Sequence, residues 1–281
     1  MTKIEWTEKT WNPVTGCTKC SPGCENCYAE KMARRLQAMG QPKYRDGFNV
    51  TLQRDVLDEP LRWKKPRMVF VCSMGDLFHK EVPFYFVHEV MRAIHKAPQH
   101  VYQILTKRPE RMADYFLTYR TPSYVWLGVT VCNQAEADEK IPVLLGIPAT
   151  VRFVSVEPML EPVDLTRWVF DSKKWYLAKC PTCNWIGSTE LCGSGDYFAH
   201  DGCECPKCGH ECDALSDNGL DWVICGGETG ANARPMNPDW ARALRDQCKV
   251  CGVPFFFKQM AKKQPIPDDL FIREFPKGGA R

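Results

Sequence analysis

Short apolar runs alternate with amphipathic stretches along most of this chain. The runs "MVFVCS" (68–73), "VYQILT" (101–106), "VWLGVTV" (125–131), "VRFVSVEP" (151–158), "DWVICGG" (221–227) and "VPFFFKQ" (253–259) are continuously apolar over most of their length. Runs of this length, rich in β-branched and aromatic residues, suit strands buried on both faces, as in parallel sheets. "NVTLQ" (49–53) is a weaker strand candidate, and the segment entering Cys17 supplies another.

The stretches between them carry helical periodicity. After Cys27, "YAEKMARRLQAMG" sets Ala29, Met32, Ala33, Leu36 and Met39 on one face and stops at Gly40. "FYFVHEVMRAIHKAP" (84–98) is apolar on one side and closes at Pro98. "NPDWARALRDQCKVCG" (237–252) opens with Asn237 as N-cap and Pro238 at the first helical position. Strand–helix alternation repeated about eight times predicts an α/β fold, a TIM-like (β/α) barrel that is complete or partly open. One segment breaks the rhythm: residues 173–218 are rich in Gly, Ser, Asp and Cys. They read as an insertion in a βα loop, beside the face where barrels keep their sites, with 1–172 and 219–281 forming the barrel.

Composition changes this picture in one respect. A chain of 281 residues buries a sizeable core without covalent staples, and a net charge of +3 points to no partner. Two basic groups, Arg62, Lys64, Lys65 and Arg67, then Lys258, Lys262 and Lys263, are candidates for phosphate contacts. "MTKIEWTEKTW" has no signal-peptide core and no window is apolar enough to span a bilayer, so a cytoplasmic protein with no membrane partner is expected. In that compartment sixteen cysteines argue for metal rather than disulfides.

The cysteines fall in two groups. "CPTCNW" (180–185) and "CPKCGH" (205–210) are paired C-P-x-C turns separated by 21 residues. Each turn can place two thiolates on one ion, so Cys180, Cys183, Cys205 and Cys208 predict a zinc ribbon whose ion folds a segment with little core. Cys192, Cys203, Cys212, His200 and His210 remain for a second site, and Cys203 is an alternative to Cys205 in the first. The opening motif, "GCTKCSPGCENCY" (16–28), is more compressed: only "SPG" separates Cys20 from Cys24, too short an excursion for a zinc ribbon. Cys20, Cys24 and Cys27 form instead C-x3-C-x2-C, a triplet that leaves one iron of a [4Fe–4S] cluster without a protein ligand. An open iron can chelate S-adenosylmethionine and reduce its sulfonium, yielding a 5′-deoxyadenosyl radical.

Here the sequence resembles the radical SAM superfamily, whose C-x3-C-x2-C loop follows the first strand of a (β/α) barrel. It departs in placing Asn26, not an aromatic residue, before the last cysteine, with Tyr28 after it. "WNPVTGC", "SMGDLFH", "LTKRPERM", "SVEPML", "GGETGANARPM" and "GVPFFFKQ" resemble more closely the phage- and prophage-associated three-Cys-motif family, described as radical-SAM-like. The resemblance spans nearly the whole chain except the insertion and implies a fold, a [4Fe–4S] cluster, S-adenosylmethionine and an electron donor of flavodoxin or ferredoxin type. It implies no substrate.

Polar residues at the ends of the predicted strands converge on one mouth. Asp76, Lys107, Glu157 and Glu228 are candidates to position substrate or handle protons; Ser73, Thr106 and Thr130, with Asp76, are candidates to bind S-adenosylmethionine. The "GGE" at 226–228 follows a late strand and does not inherit the role of the superfamily's early GGE. Cys17 reads as a tight-turn thiol, and Cys72, Cys132, Cys225, Cys248 and Cys251 as packing. The expected function is therefore a radical SAM-like enzyme acting on nucleic acid (DNA or RNA) or a nucleotide, by modification or lyase-type repair. The alternative is a metal-stapled nucleic-acid- or protein-binding module without catalysis.

Overall fold

The computed structural model describes residues 4–170, 176–192, 203–216 and 219–277. Its strands are β1 (Lys9–Trp11), β2 (Val14–Thr15), β3 (Thr51–Leu52), β4 (Met68–Val71), β5 (Val101–Thr106), β6 (Val125–Val131), β7 (Arg152–Val156), β8 (Leu177–Lys179), β9 (Ile186–Ser188), β10 (Asp213–Ser216), β11 (Trp222–Gly226) and β12 (Phe255–Gln259). Its helices are α1 (Tyr28–Ala38), α2 (Phe84–Lys96), α3 (Pro109–Phe116), α4 (Gln134–Leu145) and α5 (Pro238–Cys251).

Seven strands form one parallel sheet in the order β1-β4-β5-β6-β7-β11-β12. The order never reverses along the chain, so every crossover advances in one direction and the sheet curls into a half-barrel. The expected barrel is thus a partial one. The "NVTLQ" run is not part of it: β3 pairs antiparallel with β2 in a separate two-stranded piece. Helix caps follow their sequence signals, Asn237 accepting from the Asp239 amide and Gly252 closing α5 at φ 68°.

Because the main strands are buried on both faces, two apolar layers result. Outside, Val69, Val71, Ile104, Leu127, Val129, Val154 and Val223 meet the helices. Inside, Trp6, Phe70, Trp126, Phe153, Trp222 and Phe256 fill the lower interior. Their rings sit edge to face or tilted, with Trp222 5.7 Å from Phe153 and 6.2 Å from Trp6. Gly128 on β6 makes room for this layer, since a Cβ there would stand 2.5 Å from the Phe153 ring. Above the aromatic floor the interior is hollow.

The step from β7 to β11 has no α-helix among the described residues. Segment 163–170 covers the sheet instead: Trp168 is fully buried, the Leu165 amide donates to Gln247 of α5, and Arg167 pairs with Asp138 of α4 at 3.1 Å. The three-stranded antiparallel sheet β10-β8-β9 follows from it. Arg167 is the joint, its guanidinium donating to the Ile186 carbonyl at 2.7 Å and its own carbonyl accepting from the Ser188 amide at 2.8 Å. The sequence places this insertion beside the mouth, whereas these contacts attach it to the outer layer, and none of its described residues lines the interior hollow. The expected boundaries at 173 and 218, and His200, lie outside the described residues. Among the described residues no helix is long and apolar enough to cross a membrane.

Candidate functional site

The hollow is a cavity of about 470 Å³ at the carboxyl ends of the strands. Trp6 and Phe70 belong to its lining, as do Cys17, Cys20, Cys24 and Cys27, all four opening cysteines. The loop carrying them begins at Gly16, whose φ of +82° and 2.1 Å clearance to the Asn49 carbonyl oxygen exclude a side chain. It continues through a 3-10 turn at Pro22–Cys24, where Ser21 accepts from the Gly23 amide, and ends at Cys27, the residue capping α1.

Two ion pairs hold this loop from opposite ends. On one side Asp76, nearly buried, accepts from Thr106 Oγ1 (2.8 Å), the Phe78 amide (3.0 Å) and Arg108 Nη1 (2.8 Å). Arg108 passes the grip on: Nη2 donates to the Thr18 carbonyl at 2.9 Å, and Nη1 lies 3.5 Å from Cys17 Sγ. On the other side Glu228 accepts from Arg234 Nη2 (2.6 Å), the Arg234 amide (2.8 Å) and Asn26 Nδ2 (3.0 Å). Arg234 also reaches Glu25 at 2.9 Å and the Pro22 carbonyl at 3.0 Å. Burial works to raise the pKa of Glu228, and the hydrogen bonds from Arg234 and Asn26 outweigh it, leaving the carboxyl below its ordinary range.

Several residues expected to act on substrate or cofactor line this cavity. Asp76, Thr106 and Glu228 all line the cavity and are hydrogen-bonded: Thr106 to Asp76 and the Arg108 amide, Asp76 to Arg108, and Glu228 to Arg234 and Asn26. Ser73 donates to Asn12 at 3.1 Å, and its carbonyl accepts from the Tyr28 hydroxyl. Thr130 and Ser155 line the wall side by side on paired strands. Glu157 meets Lys258 at 2.5 Å and Gln259 at 3.3 Å, all three in the lining. Lys107 lines the cavity too and acts electrostatically on Cys24. The sequence reading missed Arg234 and Asn26; the only signal was an arginine six positions after Glu228 in a Gly/Asn loop. It also treated Cys132 as packing alone, whereas its thiol donates to buried Glu136 at 2.9 Å beneath Ser21.

The opening thiols are not equivalent. A hydrogen bond from Cys20 brings Cys24 down to about 5 against the effect of burial, with Lys107 assisting, and the same bond raises Cys20. Burial and the negative charge of Asp76 raise Cys17 despite Arg108. No three of the four bring their sulfurs within 4.8 Å of one another. Donors to a single ion must crowd together, whereas a cubane presents separate corners to its ligands.

The second cysteine group does crowd. Cys180, Cys183, Cys205 and Cys208 have all sulfurs within 4.8 Å, with 3.5 Å between Cys180 and Cys208 and between Cys183 and Cys205. A tetrahedral ion with ~2.3 Å bonds to sulfur needs edges of about 3.8 Å, so this group can hold a metal ion. Its halves repeat one another. The residue after each turn is left-handed, Asn184 at φ 57° and Gly209 at φ 72°, and each donates to the carbonyl of its turn's first cysteine. Burial opposes ionisation of Cys180, but the amides of Cys183 and Thr182 outweigh it and set the thiol to about 6. Cys203 takes no place here: it is disulfide-bonded to Cys192, the two Cα atoms 5.6 Å apart, contrary to the expectation that the cysteines serve metal rather than disulfides and that these two remain for a second site. The reason is that the turn after β9 and the approach to the second C-P-x-C turn end side by side.

The fold and its cavity define a parallel half-barrel α/β protein with a thiol-lined mouth and a separate four-cysteine centre. Residues 1–269 match the profile of the family described as "Protein of unknown function (DUF5131)", and the chain belongs to that family. No curated protein and no solved structure matches it.

Proposed function

We propose that this chain is a radical-SAM-type enzyme that holds a [4Fe–4S] cluster on Cys20, Cys24 and Cys27. The observation that carries the reading is the placement of these thiols: all three open onto one cavity at the strand ends, on a braced loop. The donor set fits, with three thiols in the triplet and a fourth, Cys17, taken up by Arg108. Bound there with S-adenosylmethionine, the cluster would supply one-electron reduction of a sulfonium and a carbon radical able to abstract hydrogen.

The chain's own residues do the rest. Asp76–Arg108 and Glu228–Arg234 fix the loop so that its thiols are pre-positioned, which lowers the ordering cost of binding. Glu157 and Lys258 present an ion pair to the interior, and Thr130 and Ser155 offer hydroxyls to a bound ligand. Zinc in the Cys180–Cys183–Cys205–Cys208 centre staples the insertion. The substrate class is nucleic acid or a nucleotide, the electron donor a flavodoxin or ferredoxin, and the compartment the reducing cytoplasm.

Anaerobic reconstitution tests this. The expected result is a brown protein whose reduced EPR signal shifts on adding S-adenosylmethionine, with 5′-deoxyadenosine formed. Zinc at both cysteine groups, with no such shift, would sink the proposal and favour a binding module.

A further inference from the structure

The charges lining the cavity do not cancel. Each carboxylate in the lining already has a cation: Asp76 has Arg108, Glu157 has Lys258, and Glu228 has Arg234. Two lysines of the lining, Lys107 and Lys263, form no ion pair among the described residues. Lys107 shares the lining with the opening cysteines. Lys263 is left over.

The backbone holding Lys263 is unusual. Lys262 and Lys263 are consecutive left-handed residues, at φ 57° and 56°, a conformation that side-chain-bearing residues seldom adopt. Their turn is pressed onto Gly227, where a Cβ would stand 2.3 Å from the Ala261 nitrogen, and it is tied down by the Lys262 amide donating to the Glu228 carbonyl at 3.0 Å. Strain of this kind persists where surrounding contacts over-determine it, and an observed outlier at a cavity wall points to use. Other elements supply the opposite chemistry to the same cavity. Tyr28 and Met32 of α1 line it with Phe48, and Tyr28 and Met32 keep 49% and 41% of their surface exposed although apolar. A cavity lined by an aromatic platform and by a cation without an ion pair among the described residues suits a ligand with a planar ring and an anionic tail.

We infer that the cavity binds a phosphate ester of a nucleoside, with Lys263 meeting the phosphate and Tyr28, Met32 and Phe48 meeting the base. This rests on the substrate class proposed above and adds the subsite and its residues. The phosphate can come from a free nucleotide or from a strand, and the chemistry recognised is the same.

Titration calorimetry on the full chain tests it, with uridine, uridine monophosphate, inorganic phosphate and a short single-stranded oligouridylate as probes. The monophosphate is expected to bind about tenfold tighter than the nucleoside, the scale of one charge-assisted contact. Lys263→Ala should erase that preference while leaving uridine affinity intact, Lys263→Arg should keep it, and Tyr28→Leu should weaken uridine and its monophosphate together. Tighter binding of the oligouridylate, with a steeper salt dependence, would assign the phosphate to a strand; equal binding would assign it to a free nucleotide. Equal affinity for nucleoside and monophosphate, a preference unaffected by Lys263→Ala, or no binding of any probe would overturn the inference. The EPR response to S-adenosylmethionine, measured on the same preparation, separates the two proposals. A response without phosphate preference removes only the subsite, and a preference without response removes only the cluster chemistry.

Discussion

Asn26 and Glu228 stand 202 residues apart in the chain and are joined by a 3.0 Å hydrogen bond. Through it, and through the Arg234 that shares Glu228, a loop late in the sequence grips the cysteine loop near its beginning. Glu228, a residue expected to act on substrate, thereby also braces the cysteine loop.

Removing that grip should loosen the loop without unfolding the half-barrel. Arg234→Leu removes both side-chain hydrogen bonds from Arg234 to buried Glu228 while the residue's amide still donates, a cost of about 2 kcal/mol for bonds to a charged group. Alkylation of Cys20, Cys24 and Cys27 in the metal-free protein, followed by mass spectrometry, should accelerate several-fold. Arg234→Lys should restore part of the protection. Unchanged rates would mean the loop is held by other contacts.

The same pair sets a pH dependence. Glu228 has its pKa depressed in the folded state, so as pH falls the unfolded chain takes up this proton first, near the ordinary glutamate value of about 4.3. The stability it contributes is complete above that pH and is lost as pH falls through the lower folded value. Thermal unfolding of wild type and Glu228→Gln should therefore differ by a constant amount near neutrality and converge in acid. A difference that grew toward acid would contradict the assignment.

Cys17 and Cys24 should part company on iron. Cys17→Ser leaves the triplet intact and should retain iron and sulfide after anaerobic reconstitution, while Cys24→Ser should lose most of both. Equal loss in the two variants would make Cys17 a ligand.

Chelation should act on the insertion alone. A structural ion of this type contributes on the order of 10 kcal/mol to a segment that has few buried side chains of its own. Stripping the metal, or Cys183→Ser, should make the insertion the first site of limited proteolysis, with the half-barrel surviving as a resistant fragment pair. Metal analysis should find one ion fewer per chain in that variant.

Much of this architecture is local in origin, and the sequence carries it. Continuous apolar runs marked β4, β5, β6, β7, β11 and β12, because burial on both faces leaves no alternation. The doubled C-P-x-C turns placed their four thiols for a similar reason: a turn of fixed geometry delivers two donors wherever it occurs. "NVTLQ" does contain a strand, but a five-residue segment with only Val50 and Leu52 apolar has no way of stating which sheet it joins.

Long-range pairing belongs to the tertiary structure. Nothing in the spacing of Asp76, Glu157 and Glu228 distinguishes a carboxylate that braces a loop from one that faces a ligand; that depends on which cations the curled sheet brings beside each. The attachment of the insertion to the outer layer likewise follows from Arg167 bridging α4 and β9. Sequence period and ligand spacing are properties of a few neighbouring residues, and so they could be read along the chain. Charge pairing and the lysine left over at the mouth arise only when strands far apart in sequence close into one sheet.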